Sequence, residues 1–218
     1  MRESIIRQIE EKKIIAIIRG LDIEKMIDTV RALQMGGIRF AEVTFDSTEK
    51  TSPEKTAEAI RVLDRTFQGA VQIGAGTVLT PRQVELAYSA GARYIISPNV
   101  DPEVIGETRR LGLISIPGAL TPTEAVTARD AGADFVKLFP AGDLGVGYVK
   151  ALMAPLKHIP FLAVGGVDTE NIRDFMAIGV RGFGIGSNIV RQSLIEKGNY
   201  EGITVLAKEY MRKLERGD

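Results

Sequence analysis

The chain has 218 residues, no cysteine, and 28 basic against 28 acidic side chains. A zero formal charge with no basic run lacks the electrostatic footprint that holds nucleic acid, and the missing thiols exclude disulfides, thiolate nucleophiles and cysteine metal cages. With 44% hydrophobic and 26% charged residues, and no run near the ~18 apolar residues of a membrane span, a globular cytoplasmic protein without membrane partners is expected.

The opening MRESIIRQIEEKK predicts an amphipathic helix rather than a basic stretch followed by an apolar run and a small-residue cleavage site. Eight apolar, β-branched runs follow and predict strands: IIAII (14–18), IRFAEVT (38–44), VQIGAGTV (71–78), YIIS (94–97), LISIPGA (113–119), FVKLFP (135–140), FLAVGG (161–166) and FGIGS (183–187). Helical periodicity fills the gaps; after the first run, Ile23, Met26, Ile27, Val30 and Leu33 fall on one face. Helix starts are marked at Thr80-Pro81, Asp101-Pro102, Thr121-Pro122 and Asp168, where a side-chain oxygen can accept from the first helical N–H groups. Helix ends are marked at Gly36-Gly37, Ala90-Gly91, Ala131-Gly132 and Ile178-Gly179.

Eight strand–helix units averaging roughly 27 residues predict an α/β protein, a single (β/α)8 TIM barrel over residues 1–218 with an N-terminal helix. The competing open, doubly wound sheet normally carries fewer units and a phosphate-binding glycine loop after its first strand. Here the first strand ends in Arg19-Gly20. In a barrel the functional residues lie where strands end and βα loops begin.

Lys137 is the strongest candidate there. In DFVKLFP it alternates with Val136 and Leu138 and shares a face with Phe135 and Phe139. Apolar neighbours disfavour the ammonium, lower the pKa and make the amine available as a Schiff-base nucleophile. A snorkelling lysine or a buried structural ion pair would look the same in isolation. Glu42 shares its face with Phe40 and Thr44 and could shuttle protons beside such an amine, or simply pair with it. Arg19, on the face of Ile15 and Ile17, and Thr77 in GAGTV could clamp a carboxylate, unless Arg19 pairs with Asp22 or Asp46. Gly165-Gly166 and the segment Gly184, Gly186, Ser187 and Asn188 close the last two strands and suit an anion held by backbone N–H groups at a helix N-terminus, although turns also use glycine for steric reasons.

Read in order, IIAIIRG, AEVTF, IGAGTV, ISPN, IPGALTPTEA, VKLFPA, AVGGV and GIGSNIV resemble the bacterial 2-keto-3-deoxy-6-phosphogluconate (KDPG) and 4-hydroxy-2-oxoglutarate (KHG) aldolase family across nearly the whole chain. The resemblance implies that Lys137 is the Schiff-base lysine and Glu42 the proton-transfer residue. It further implies a pyruvate pocket involving Thr77, Pro98 and Phe139, a phosphate site near Gly165, Gly166, Gly186 and Ser187, small keto-acid and aldehyde substrates, no cofactor, and a homotrimer. Some family members carry an arginine four residues after the catalytic glutamate to hold the pyruvate carboxylate, whereas this chain has Asp46. Others resemble this sequence at the end of the first strand, which assigns the clamp to Arg19 and leaves Asp46, Ser47 and Thr48 to bear on the distal end of the substrate.

Two other classes share parts of this pattern. A phosphosugar epimerase, isomerase or synthase would use the glycine-rich anion grip without requiring Lys137, and a non-catalytic sugar-phosphate binding protein would need the grip alone. A metal-dependent aldolase is disfavoured because His158, expected in a surface loop, is the only histidine and no residues have metal-ligand spacing.

Overall fold

A computed structural model of the protein describes residues 2–48 and 50–215; Met1, Glu49 and residues 216–218, which the expected 1–218 domain includes, lie outside the described residues. Its strands are β1 (Ile14–Ile18), β2 (Phe40–Thr44), β3 (Gln72–Gly76), β4 (Tyr94–Ile96), β5 (Ile114–Ile116), β6 (Gly118–Ala119), β7 (Val136–Leu138), β8 (Phe161–Val164) and β9 (Gly182–Ile185). All their pairings are parallel, in the order β5-β4-β3-β2-β1-β9-β8-β7-β6. The two ends of that order are consecutive in the chain. Pro117, which has no N–H to donate, divides the fifth predicted run into β5 and β6. On one side Ser97 N donates to Ile116 O at 3.2 Å, and on the other Lys137 N donates to Pro117 O at 2.9 Å. The fifth run thereby joins β4 to β7 and closes the barrel, so the eight expected strands become nine.

The helices are α1 (Arg2–Lys12), α2 (Ile23–Met35), α3 (Pro53–Phe67), α4 (Pro81–Ser89), α5 (Pro102–Arg110), α6 (Pro122–Asp130), α7 (Ala141–Met153), α8 (Ile172–Ala177), α9 (Gln192–Glu196) and α10 (Tyr200–Leu214). Thr80 and Asp101 cap α4 and α5 through their side chains, and Thr121 forms a reciprocal capping box with Glu124. Asp168 differs from expectation. Its carboxylate accepts from Glu170 N and Asn171 N, capping a turn, and α8 starts only at Ile172. At the opposite ends Gly37, Gly91, Gly132 and Gly179 all have φ between +96° and +104°, the left-handed closure anticipated for them.

Alternation along the strands sorts the core into two layers. Outward residues such as Ile73, Ala75, Val136 and Leu138 pack beneath the helices. Inward residues Ile15, Phe40, Tyr94, Ile96, Ile114, Ile116, Phe135, Leu162 and Val164 fill the barrel, joined by Ile5 and Ile9 of α1. Helix α1 is held to this interior by an ion pair from Arg2 to the buried Asp134, whose other oxygen accepts Ser115 N at 2.9 Å. Strand β3 sends no side chain inward at Gly74 and Gly76. A Cβ at Gly74 would strike the Tyr94 ring, and one at Gly76 would strike the Glu42 carboxyl.

This arrangement predicts opposite effects for two glycine-to-alanine changes. Gly74→Ala overpacks the barrel against Tyr94 and should cost about 1–3 kcal/mol in equilibrium urea unfolding. Gly106→Ala, exposed within α5 with open space around it, should instead gain up to about 1 kcal/mol through helix propensity.

Candidate active site

The C-terminal ends of the strands surround a cavity of about 610 Å³. Arg19, Glu42, Thr77, Pro98, Lys137, Phe139, Gly165, Gly166, Gly186 and Ser187 all line it. They arrive from seven different strands or from the loops directly after them, so only barrel closure brings them together.

Lys137 and Glu42 are 8% and 2% exposed, charged residue types at a depth normally reserved for paired groups. Yet no ion pair within 4.0 Å joins them among the described residues, and Glu42 Oε2 is buried without a hydrogen-bond partner. Both groups line the cavity, where a substrate can reach them, which separates this site from an ordinary buried salt bridge. Burial lowers the Lys137 pKa and the Arg19 cation adds to that effect, while the Glu42 charge opposes it. Burial raises the Glu42 pKa, against the lowering influence of Lys137 and Arg19. Desolvation therefore drives both toward their neutral forms, an uncharged amine and a protonated carboxyl. Lys137 Nζ also lies 5.0 Å from the centroid of the Phe139 ring, which is 44% exposed and forms part of the entrance.

Arg19 follows β1 and is exposed at the cavity mouth. It forms no ion pair with Asp22 or Asp46. Asp46 is occupied locally: its carboxylate accepts from Thr48 Oγ1 at 2.6 Å, Thr48 N at 2.8 Å and Thr51 N at 2.9 Å. The Thr48 hydroxyl bond leads in holding its pKa below the usual carboxylate value. The guanidinium is thus available to an anion. Thr77 has φ +56°, a left-handed conformation unfavourable for a β-branched residue, of a kind that costs about 1–3 kcal/mol and clusters at functional sites. The surrounding strands hold it there, with Val78 N donating to Ile96 O at 3.2 Å.

The loop after β8 is shaped by close backbone approach. Gly165 and Gly166 have φ +82° and +68°; Gly142 N donates to Gly165 O at 2.7 Å, and a Cβ on Gly166 would lie 2.9 Å from Gly142 Cα. Steric need accounts for both glycines without excluding a ligand. Asn171 Nδ2 donates to Gly166 O at 2.9 Å within the loop after β8, and Asn188 Nδ2 donates to Val167 O at 2.9 Å, tying the loop after β9 to it. The segment after β9 departs from expectation. Gly186 O accepts from Ile189 N and Val190 N at 3.0 and 2.9 Å, forming a turn, and α9 starts only at Gln192. No helix N-terminus stands directly behind Ser187.

Ile17, Leu79, Val164 and Gln192 also line the cavity and are not among the site residues expected from the sequence, whereas Asn188 of the expected anion segment does line it. Ile17 and Val164 share the inward parity of their strands, so alternation could have found them. Gln192 belongs to a short helix whose position depends on the preceding turn, and no sequence signal placed it. His158 is exposed in the turn before β8, as expected, and no group of three or more His, Cys, Asp or Glu suited to a metal occurs among the described residues.

Comparison with known proteins places the chain in a family. Residues 5–206 match the family described as "Aldolase: KDPG and KHG aldolase". A Rhizobium meliloti (strain 1021) protein named "Probable 2-dehydro-3-deoxy-6-phosphogalactonate aldolase" is 39% identical over 84% of each chain. The 2-dehydro-3-deoxy-phosphogluconate aldolase of Haemophilus influenzae is 34% identical over 95% of each. Among solved structures, a KDPG aldolase from Legionella pneumophila, with pyruvate captured as a covalent carbinolamine intermediate, superposes with a TM-score of 0.80 at 30% identity, covering 90% of this chain and 92% of that one. The chain belongs to the KDPG and KHG aldolase family.

Proposed function

We propose that the protein is a metal-independent Schiff-base aldolase that reversibly cleaves a 2-keto-3-deoxy sugar acid to pyruvate and an aldehyde. The proposed substrates are 2-dehydro-3-deoxy-6-phosphogluconate, releasing glyceraldehyde 3-phosphate, and 4-hydroxy-2-oxoglutarate, releasing glyoxylate. One observation carries this reading: Lys137 and Glu42 are buried together at the barrel mouth, desolvated, and not paired with each other. The carbinolamine captured in the Legionella pneumophila relative supports a lysine route.

The neutral Lys137 amine attacks the C2 carbonyl to form a carbinolamine, and protonated Glu42 supplies the proton with which hydroxide departs as water, leaving an iminium. Glu42, now a carboxylate, takes the proton of the C4 hydroxyl. The C3–C4 electron pair then moves into the iminium, giving an enamine and releasing the aldehyde. Protonation of the enamine at C3 and hydrolysis of the resulting imine return pyruvate and the free amine. Arg19 and Thr77 hold the pyruvate carboxylate, Pro98 and Phe139 bound its methyl end, and backbone and side-chain donors around Gly165, Gly166, Gly186 and Ser187 receive the phosphate. The proposed active unit is a single domain spanning 1–218, cytoplasmic and assembled as a homotrimer. Exposed apolar side chains including Leu120 and Tyr148, linked by Tyr148 Oη donating to Leu120 O at 2.6 Å, suit subunit contact. No described helix is long and apolar enough to cross a membrane.

Borohydride reduction in the presence of pyruvate tests the central claim. Mass spectrometry should find the adduct on Lys137, with trapping and turnover unchanged in EDTA; modification elsewhere, or metal-dependent activity, would sink it. Because the Lys137 pKa is lowered, trapping should proceed well below the 10.5 of an ordinary lysine.

Glu42→Gln keeps the side-chain volume but removes the proton-transfer group. It should lower kcat by about 10²- to 10⁴-fold, with a smaller effect on KM. Near-normal kcat in the folded variant would return Glu42 to a structural role.

Arg19→Ala should weaken apparent pyruvate affinity by about 10- to 150-fold, corresponding to loss of a charged hydrogen bond of roughly 1.5–3 kcal/mol. Removing this cation should also raise the Lys137 pKa and move the alkaline rise of trapping to higher pH. Inorganic phosphate binding should survive; equal loss of both ligands would indicate a damaged fold.

A further inference from the structure

Beneath the cavity floor lie two buried polar atoms without hydrogen-bond partners, Glu42 Oε2 and the Tyr94 hydroxyl oxygen. They occupy neighbouring notches in one strand. Gly74 and Gly76 lie on the same face of β3, roughly 7 Å apart at two residues' rise. A Cβ at Gly74 would collide with Cδ2, Cε2 and Cζ of Tyr94, the last being the carbon that bears the hydroxyl. A Cβ at Gly76 would lie 2.6 Å from Glu42 Cγ and closer still to its carboxyl. Gly74 is itself registered against Glu42. The phenol end of Tyr94 and the Glu42 carboxyl are thus stacked, one layer above the other, where β3 has no side chains.

The rest of that layer is apolar. Tyr94 is fully buried, its ring lies 5.9 Å from that of Phe40, and Ile96 and Phe135 belong to the same cluster. A phenylalanine would fill almost the same volume without burying a hydroxyl, so the oxygen is an expense that packing alone does not explain. Burial, and then the Glu42 charge, raise the Tyr94 pKa well above its ordinary value, so the hydroxyl remains a proton donor at all working pH. Lys137 from β7 and Arg19 from the end of β1 are the other charged groups acting on Glu42, and both approach from the cavity side.

We propose that Tyr94 is a positioning residue for Glu42: its hydroxyl donates to Oε2, through one bridging water or after a small rotation of the carboxyl, and aims Oε1 at the substrate. The proposal rests on Glu42 being the proton-transfer group. A donor to Oε2 favours the carboxylate and offsets part of the burial that disfavours it. The Glu42 proton is thereby easier to release in each cycle.

Tyr94→Phe tests this with kcat and KM measured across pH. The expected result is a fall in kcat of about 10-fold at neutral pH, with KM changed less than about two-fold, and an acid limb of the kcat profile displaced upward by about one pH unit, the equivalent of that ten-fold change. The sign follows because losing the donor strengthens proton binding by Glu42, so its basic form appears only at higher pH. An unmoved limb, with kcat retained and thermal stability equal or increased, would overturn the proposal by showing that the hydroxyl serves neither charge nor position. A second arm repeats Tyr94→Phe in a Glu42→Gln background. A further loss below about two-fold supports action through Glu42, whereas a full independent ten-fold loss overturns it. The arms also separate the two levels of inference. If Glu42→Gln alone keeps normal kcat, the assignment of Glu42 fails and the role of Tyr94 fails with it; if Glu42→Gln is impaired while Tyr94→Phe is normal, only the Tyr94 proposal is lost.

Discussion

The site depends on burying an amine and a carboxyl in one barrel mouth while preventing them from pairing. Desolvation alone would make Lys137 a neutral nucleophile, but an ion pair with Glu42 would restore its positive charge and block attack on a carbonyl. The barrel seats the two groups on different strands, β7 and β2, where both line the cavity without forming an ion pair. Glu42 leans over Gly76 of β3, into space that any side chain there would fill. The missing side chain at Gly76 therefore gives Glu42 its seat in the barrel mouth.

The apolar interior below the site serves the same end. Ile15, Phe40, Tyr94, Ile114, Phe135 and Leu162 fill the barrel, and Ile5 and Ile9 of α1 join the same cluster. A packed apolar interior keeps bulk solvent from beneath Lys137 and Glu42, and its low polarity lets burial dominate both pKa shifts. Above the site the constraint is reversed. Arg19 stays exposed at the mouth, and the loops after β8 and β9 present backbone held by Asn171 and Asn188 rather than by charged side chains. The polar mouth can thus orient a charged substrate while the floor disfavours the charged form of the reacting amine.

Much of this was legible in one dimension because β-strands alternate. Lys137 with Phe135, Glu42 with Phe40, and Arg19 with Ile15 and Ile17 each fall on one face by sequence alone, since parity survives whatever the sheet order. Capping pairs at Thr80-Pro81, Asp101-Pro102 and Thr121-Pro122 were equally local and equally visible. The structure departs from the local signals where these compete with closure. Pro117 divided one expected strand in two, Asp168 capped a turn rather than α8, and Ser187 entered a turn closed on Gly186 O instead of a helix.

The sequence by itself determined the repeat, the inward parity and the chemical identity of the groups, because each is written within a span of a few residues. Only the tertiary structure decided that Lys137 and Glu42 remain unpaired, that Arg19 ignores Asp22 and Asp46, and that Tyr94 lies under Glu42. Those facts depend on distances between side chains from β1, β2, β3, β4 and β7, and such distances are fixed by barrel closure and by which strands lack a Cβ. A short sequence window holds neither.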